Sequence, residues 1–108
     1  MKSINEDKMV KLEIDFSSSL NEEYLKTFAH KVEQILKSMI TGKHSPVSIK
    51  GDESKVKAFA KALGNEERYI LALQEAPIDN PEVMGLRHKL EEAIENYEKV
   101  TGIKWPVR

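Results

Sequence analysis

The chain has 108 residues, of which 40% are hydrophobic and 32% are charged, and its formal net charge at pH 7 is −1. This length fits one domain with one modest hydrophobic core. The near-balance of charge excludes a global field that attracts nucleic acid or an anionic membrane, so such binding needs a local patch. The absence of cysteine excludes disulfides, thiolate metal sites and cysteine nucleophiles.

The first residues show no targeting pattern. Residues 1–8 are polar and of mixed charge, and we expect a flexible lead-in there, followed by a single globular domain over residues 9–108. That opening lacks the apolar core of a secretory signal. No apolar run approaches the about 20 residues of a membrane span. We therefore expect a cytoplasmic protein with no membrane partner.

The period of the sequence changes from two to that of a helix near the N-terminus. Apolar and charged residues alternate from Val10 to Phe16, which predicts a half-buried strand from about Met9 to Phe16. An apolar stripe with helical spacing then follows. Its members are Tyr24, Leu25, Phe28, Val32, Ile35, Leu36 and Met39.

Two residues compete to cap this first helix. Ser19 forms a capping box with Glu22, whereas Asn21 as the cap permits a hydrophobic staple across the helix start. Either cap begins the helix at the same place. We expect it to run to about Ile40, with Gly42 as a left-handed C-terminal residue.

A second strand and a second helix follow. Val47–Ile49 predicts the strand, Gly51 ends it, and Asp52 is suited to cap the next helix. The apolar face of that helix consists of Val56, Phe59, Ala60 and Leu63. We expect Gly64 to stop or kink it, and a further helical segment to run from Glu66 to Ala76.

A long helix is predicted near the C-terminus. Asn80 is its N-cap, Pro81 is its first residue and Gly102 follows its last turn. Its apolar stripe consists of Val83, Leu86, Leu90, Ala93, Ile94 and Tyr97.

The sequence therefore predicts a mostly helical α+β fold with the order β-α-β-α-α-α and a small two-stranded sheet covered by helices. A strand-helix-strand unit favours a parallel pair with a right-handed crossover. Because a two-stranded sheet is marginal alone, an exposed strand edge is a candidate surface for a homodimer.

Few residues suggest metal or acid–base chemistry. The histidines, His30, His44 and His88, show no spacing of a local metal pair. The row Glu91, Glu95 and Glu98 shares one face of the last helix, where we favour a solvated surface over a cation site. Gly51 lies between a strand and a helix, but the phosphate-loop pattern around it is incomplete, since acidic residues follow. We expect no cofactor, no metal and no enzymatic activity.

The densest basic set surrounds the second predicted helix. It consists of Lys43, Lys50, Lys55, Lys57 and Lys61. These side chains are candidates for phosphate contacts, although no aromatic residue is interleaved for base stacking. We favour a solvated lysine face and keep nucleic-acid binding as an alternative.

The C-terminal segment carries the only tryptophan, Trp105. This residue either closes the core or anchors a partner, since tryptophan is enriched at interface hot spots. The candidate partner-binding residues are Ile103, Lys104, Trp105 and Pro106.

Several stretches resemble small accessory proteins of tailed bacteriophages. They are residues 49–51, 56–63, 67–69 and 101–106. The resemblance implies a role in the cytoplasm of an infected host, either on a host protein or in assembly. It brings no active site with it.

The first functional expectation is a non-enzymatic protein-binding regulator or inhibitor, since no catalytic grouping is evident. The alternatives are a nucleic-acid-associated protein that uses the lysine face, and a protein that binds a small ligand or nucleotide between the helices and the sheet.

Overall fold

The structure is a computed structural model, and it describes residues 12–16, 21–42 and 47–107. Two strands and three helices follow one another along the chain. They are β1 (Leu12–Asp15), α1 (Glu22–Thr41), β2 (Val47–Lys50), α2 (Glu53–Leu73) and α3 (Pro81–Thr101). The predicted α+β class with a small two-stranded sheet is confirmed. The predicted lead-in over residues 1–8 lies outside the described residues.

The two strands form a parallel pair, as predicted. Leu12 is aligned with Val47 and Ile14 with Ile49. The side chain of Ile14 is buried and that of Ile49 is half-buried, so this face of the sheet meets the helices.

The ends of α1 match the sequence signals. The backbone N–H of Tyr24 donates to Oδ1 of Asn21 at 2.7 Å, so Asn21 is the N-cap. Ser19, the competing candidate, lies outside the described residues. Gly42 ends the helix with φ of +78°, in the left-handed conformation that glycine adopts without strain.

Helix α2 is continuous through Gly64, so the predicted stop and the separate helix over Glu66–Ala76 are wrong. Nδ2 of Asn65 donates to the carbonyl of Lys61 at 2.8 Å, within the regular helix. Leu63 and Tyr69 are buried on either side of Gly64. Their packing keeps the helix continuous across a residue that weakens it only locally.

Helix α3 begins and ends as predicted. Oδ1 of Asn80 accepts from the backbone N–H groups of Glu82 and Val83, and Pro81 occupies the first turn. Gly102 follows the helix with φ of +74°.

Two clusters of buried side chains form the core. The larger one joins the sheet to all three helices and contains the aromatic residues Phe16, Phe28, Phe59, Tyr97 and Trp105. The smaller one lies between α2 and α3 and contains Tyr69, Val83 and Leu90. Burial raises the pKa of Tyr97, whose ring is fully enclosed.

Gly51 is required by the packing of the sheet end. Its φ is +135°, and a Cβ added there would lie 2.8 Å from Cβ of Phe16. Gly51 therefore permits a close approach between the chain and Phe16.

None of the helices in the described ranges has both the length and the apolar character needed to cross a membrane.

Candidate functional site

The C-terminal segment closes the core. Trp105 is 3% exposed, and its ring lies against Tyr97, with 5.1 Å between the ring centroids. Its Nε1–H donates to Oε1 of Glu66 at 2.8 Å, and its backbone N–H donates to Oε2 of Glu98 at 2.9 Å. Of the two interpretations of Trp105, the structure supports core closure.

The other residues of this segment differ in exposure. Ile103 is buried, Lys104 is exposed and Pro106 is half-buried. A partner can therefore reach Lys104 and part of Pro106, while the side chains of Ile103 and Trp105 are committed to the core. The segment is not free in the sense that we expected from the sequence.

The lysines of α2 do not share one face. At 100° per residue, Lys55 lies on the other side of the helix from Lys57 and Lys61. Lys57 pairs with Glu53, its neighbour one turn away, at 3.4 Å.

The remaining lysines of the predicted basic set are dispersed. Lys50 is exposed at the end of β2, and Lys43 lies outside the described residues. Only Lys61 contributes to the groove described below.

The histidines and the acidic row carry the side-chain types that can bind a metal ion. In the described part of the chain, no group of three or more metal-ligating side chains comes together. His30 is exposed, Nε2 of His88 lies 3.4 Å from Oε2 of Glu92, and His44 lies outside the described residues.

The residues of the acidic row divide between surface positions and a structural hydrogen bond. Glu91 accepts from Nε of Arg87 at 3.2 Å on the surface, and Glu95 is exposed. Glu98 instead holds the backbone of Trp105, a structural role that its spacing did not indicate.

Helices α2 and α3 run in opposite directions. Phe59, near the start of α2, lies 6.2 Å from Tyr97, near the end of α3 (ring centroids). Tyr69, near the end of α2, packs with Val83, near the start of α3. The residue numbers of these pairs add to 156 and 152, so positions whose numbers add to about 154 lie level with each other to within one helical turn.

A groove of about 450 Å³ runs between these two helices. It is lined by Ala60, Lys61, Gly64, Asn65, Arg68, Lys89, Glu92, Ala93 and Asn96. Ala60, Gly64 and Ala93 are small, and they leave the space between the helices open.

The polar residues of the groove form three levels. The antiparallel alignment puts Arg68 beside Lys89 at one end and Lys61 beside Asn96 at the other. Lys61 and Arg68 are seven residues apart, which is about 10 Å along the helix axis.

The middle level is occupied by Asn65 and Glu92. The hydrogen bond from Asn65 to the Lys61 carbonyl fixes the amide beside the groove. The Glu92 carboxylate faces His88 on its own helix.

The groove carries more positive than negative charge. Lys61, Arg68 and Lys89 contribute cations, while Glu92 contributes the single carboxylate of the lining. Within the described residues, no ion pair engages any of these three cations. An Arg guanidinium presents parallel N–H donors that match a carboxylate, and a nearby Lys adds a point charge.

The lining contains no hydroxyl group and no imidazole. It offers donors and charge for binding, without the paired nucleophile and base that acyl or phosphoryl transfer needs.

Of the residues that line the groove, the sequence analysis named only Lys61 as a candidate for binding. Arg68 and Lys89 come from different helices, and only the alignment of α2 with α3 brings them together. The sequence signal that could have indicated the groove was the placement of the small residues Gly64 and Ala93 next to polar positions.

No protein-family model, no curated protein and no solved structure matches this chain. The resemblance to phage accessory proteins therefore stays a prediction.

Proposed function

We propose that this chain is a non-enzymatic protein-binding protein, and that an acidic segment of its partner docks in the α2–α3 groove. The observation that supports the proposal most directly is the convergence of Lys61, Arg68 and Lys89, which have no carboxylate partner among the described residues. Carboxylates of a partner would supply the missing charges.

A peptide suits the groove better than a nucleic acid. None of the lining residues is aromatic, so bases have no stacking platform there. Glu92 interrupts the row of cations and would repel a continuous line of phosphates. A peptide offers carboxylates for the cations and N–H donors for Glu92 in the same segment.

We infer from the resemblance to phage accessory proteins that binding regulates or inhibits the partner. On that basis the partner is a host protein in the host cytoplasm. This part of the proposal is independent of the groove geometry.

The experiment is fluorescence anisotropy with a labelled glutamate-rich peptide, compared with a glutamine-substituted copy of it. We expect the double variant R68Q/K89Q to bind the acidic peptide at least about tenfold more weakly, because each charge-assisted hydrogen bond contributes about 1.5–3 kcal/mol. The matched control is K26Q/K37Q, which removes the same charge from exposed positions of α1.

Three outcomes contradict the proposal. Equal weakening by both double variants indicates a general charge effect. Tighter binding of labelled single-stranded DNA, with a steep loss of affinity as salt rises, favours the nucleic-acid alternative. A rise in melting temperature with citrate, without binding of the peptide, favours a small free acid as the ligand of the groove.

A further inference from the structure

The two outer edges of the sheet differ. Nζ of Lys31 donates to the carbonyl of Glu13, and the Tyr24 hydroxyl donates to the carbonyl of Asp15, both at 2.6 Å. Side chains of helix α1 thus bind the outward carbonyls of β1. Burial, and then the Asp15 carboxylate, raise the pKa of Tyr24, which keeps its hydroxyl protonated as a donor.

Along β2, the backbone groups of successive residues point alternately toward β1 and toward the outer edge of the sheet. The Phe16 N–H donates to the Lys50 carbonyl at 2.8 Å, so the backbone groups of Lys50 face β1. By alternation, those of Ser48 also face β1, while the N–H and C=O groups of Val47 and Ile49 point to the outer edge. Among residues 12–16, 21–42 and 47–107, no hydrogen bond engages these outward groups. The Val47 side chain is 38% exposed.

We propose that this open edge of β2 pairs in antiparallel fashion with β2 of a second copy of the chain. A two-fold axis through Ser48 sets Val47 opposite Ile49 of the second copy and Ser48 opposite its own counterpart. Both Val47–Ile49 pairs then exchange N–H and C=O bonds, so every outward group of the strand is satisfied.

The sequence of β2 is complementary to itself in this register. The cross-strand pairs are β-branched and apolar at both ends and Ser–Ser at the centre, and such pairs stabilise a sheet. Lys50, the only charge in the strand, lies outside the three paired positions 47–49. The product is a four-stranded sheet, which is more stable than the isolated pair, and the interface is isologous.

The test is light scattering after size-exclusion chromatography over a range of protein concentrations. We expect a dimer for the natural chain and at least a tenfold weaker dimer for V47P, because proline removes an outward N–H and leaves the bonds to β1 intact. The control V47T keeps the N–H and the β-branched shape and should dimerise normally. Amide hydrogen exchange supplies a measurement that needs no variant: the Ile49 N–H should become protected as the concentration rises.

A monomer at every concentration overturns the proposal. So does a dimer that V47P leaves unchanged, or an Ile49 amide whose exchange is independent of concentration. These results do not bear on the α2–α3 groove, so the two proposals fail separately.

Discussion

Helices α2 and α3 present two faces that differ in what packs against them. On one face, Phe59 and Tyr97 receive Trp105 from the C-terminal segment, and the buried Glu66 accepts the indole N–H. On the other face, small residues leave a groove whose cations have no carboxylate partner within the described residues. The C-terminal segment packs on the first face, and we propose that an acidic segment of a partner docks on the second.

In the proposed function, one helix pair uses one face for stability and the other for binding. The closed face uses aromatic bulk and a hydrogen bond between distant residues, both of which are costly to lose. The open face uses exposed charges, which contribute little to folding and are therefore available for recognition. Substitutions on the closed face should lower the free energy of unfolding, whereas substitutions on the open face should weaken peptide binding.

The largest expected effect is at Trp105. We expect W105A to lower the free energy of unfolding by about 3–5 kcal/mol, because it removes a buried aromatic side chain. W105F keeps most of the aromatic contact and should cost clearly less. Urea unfolding followed by far-UV circular dichroism measures both, since the only tryptophan fluorophore is lost. A cost for W105A within the about 0.5 kcal/mol of a surface substitution would contradict core closure.

The next effect is at Glu66, which is 2% exposed. We expect E66A to destabilise the fold by about 1–3 kcal/mol, because the buried indole N–H of Trp105 loses its acceptor. E66Q retains an oxygen acceptor and should cost less. The neighbouring E67A is the control, expected within about 0.5 kcal/mol of the natural chain in the same urea titrations. Equal costs for E66A and E67A would show that the indole bond is unimportant.

The packing of the closed face extends to the sheet through Phe16, and a substitution at Gly51 tests the packing at that end. We expect G51A to cost about 1–3 kcal/mol, because alanine is strained at this φ and its Cβ meets Phe16. Gly42 is a matched control, since it also has positive φ but nothing within 4 Å of an added Cβ. Thermal melts should therefore show G51A as the more damaging of the two, and the reverse order would be inconsistent with the close approach.

The smallest effect on stability is at Gly64, on the open face. An added Cβ at Gly64 or Gly85 meets nothing within 4 Å, and both residues lie inside helices. We expect G64A and G85A each to raise the free energy of unfolding by about 0.5–1 kcal/mol.

The bulkier substitutions G64Q and G85Q compare the effect of a long side chain in the groove with its effect elsewhere on the surface. Only G64Q places a side chain among the groove residues, so it alone should weaken the acidic peptide. Equal binding by both variants would count against the groove.

The sequence predicted the elements whose signals are local. Asn21, Gly42, Asn80 and Gly102 lie at helix ends, where a cap or a left-handed residue is needed whatever the tertiary structure. The parallel pairing of the strands followed from the strand-helix-strand order.

The errors and omissions have a common physical cause. Gly64 is a helix breaker by propensity, but its neighbours Leu63 and Tyr69 are buried, and that packing overrides a local cost. The bond between Trp105 and Glu66 spans 39 residues, and no spacing rule reports it. The groove needs Arg68 and Lys89 at the same level, which depends on the alignment of two helices.

The most direct test of the account is a titration of the ¹⁵N-labelled protein with the acidic peptide, followed by amide chemical shifts. If the groove binds the peptide, shifts concentrate at groove positions such as Gly64, Asn65, Ala93 and Asn96, and the amides of Ile103 and Trp105 are unaffected. Shifts concentrated at the C-terminal segment, or spread evenly over exposed lysines, would contradict binding in the groove.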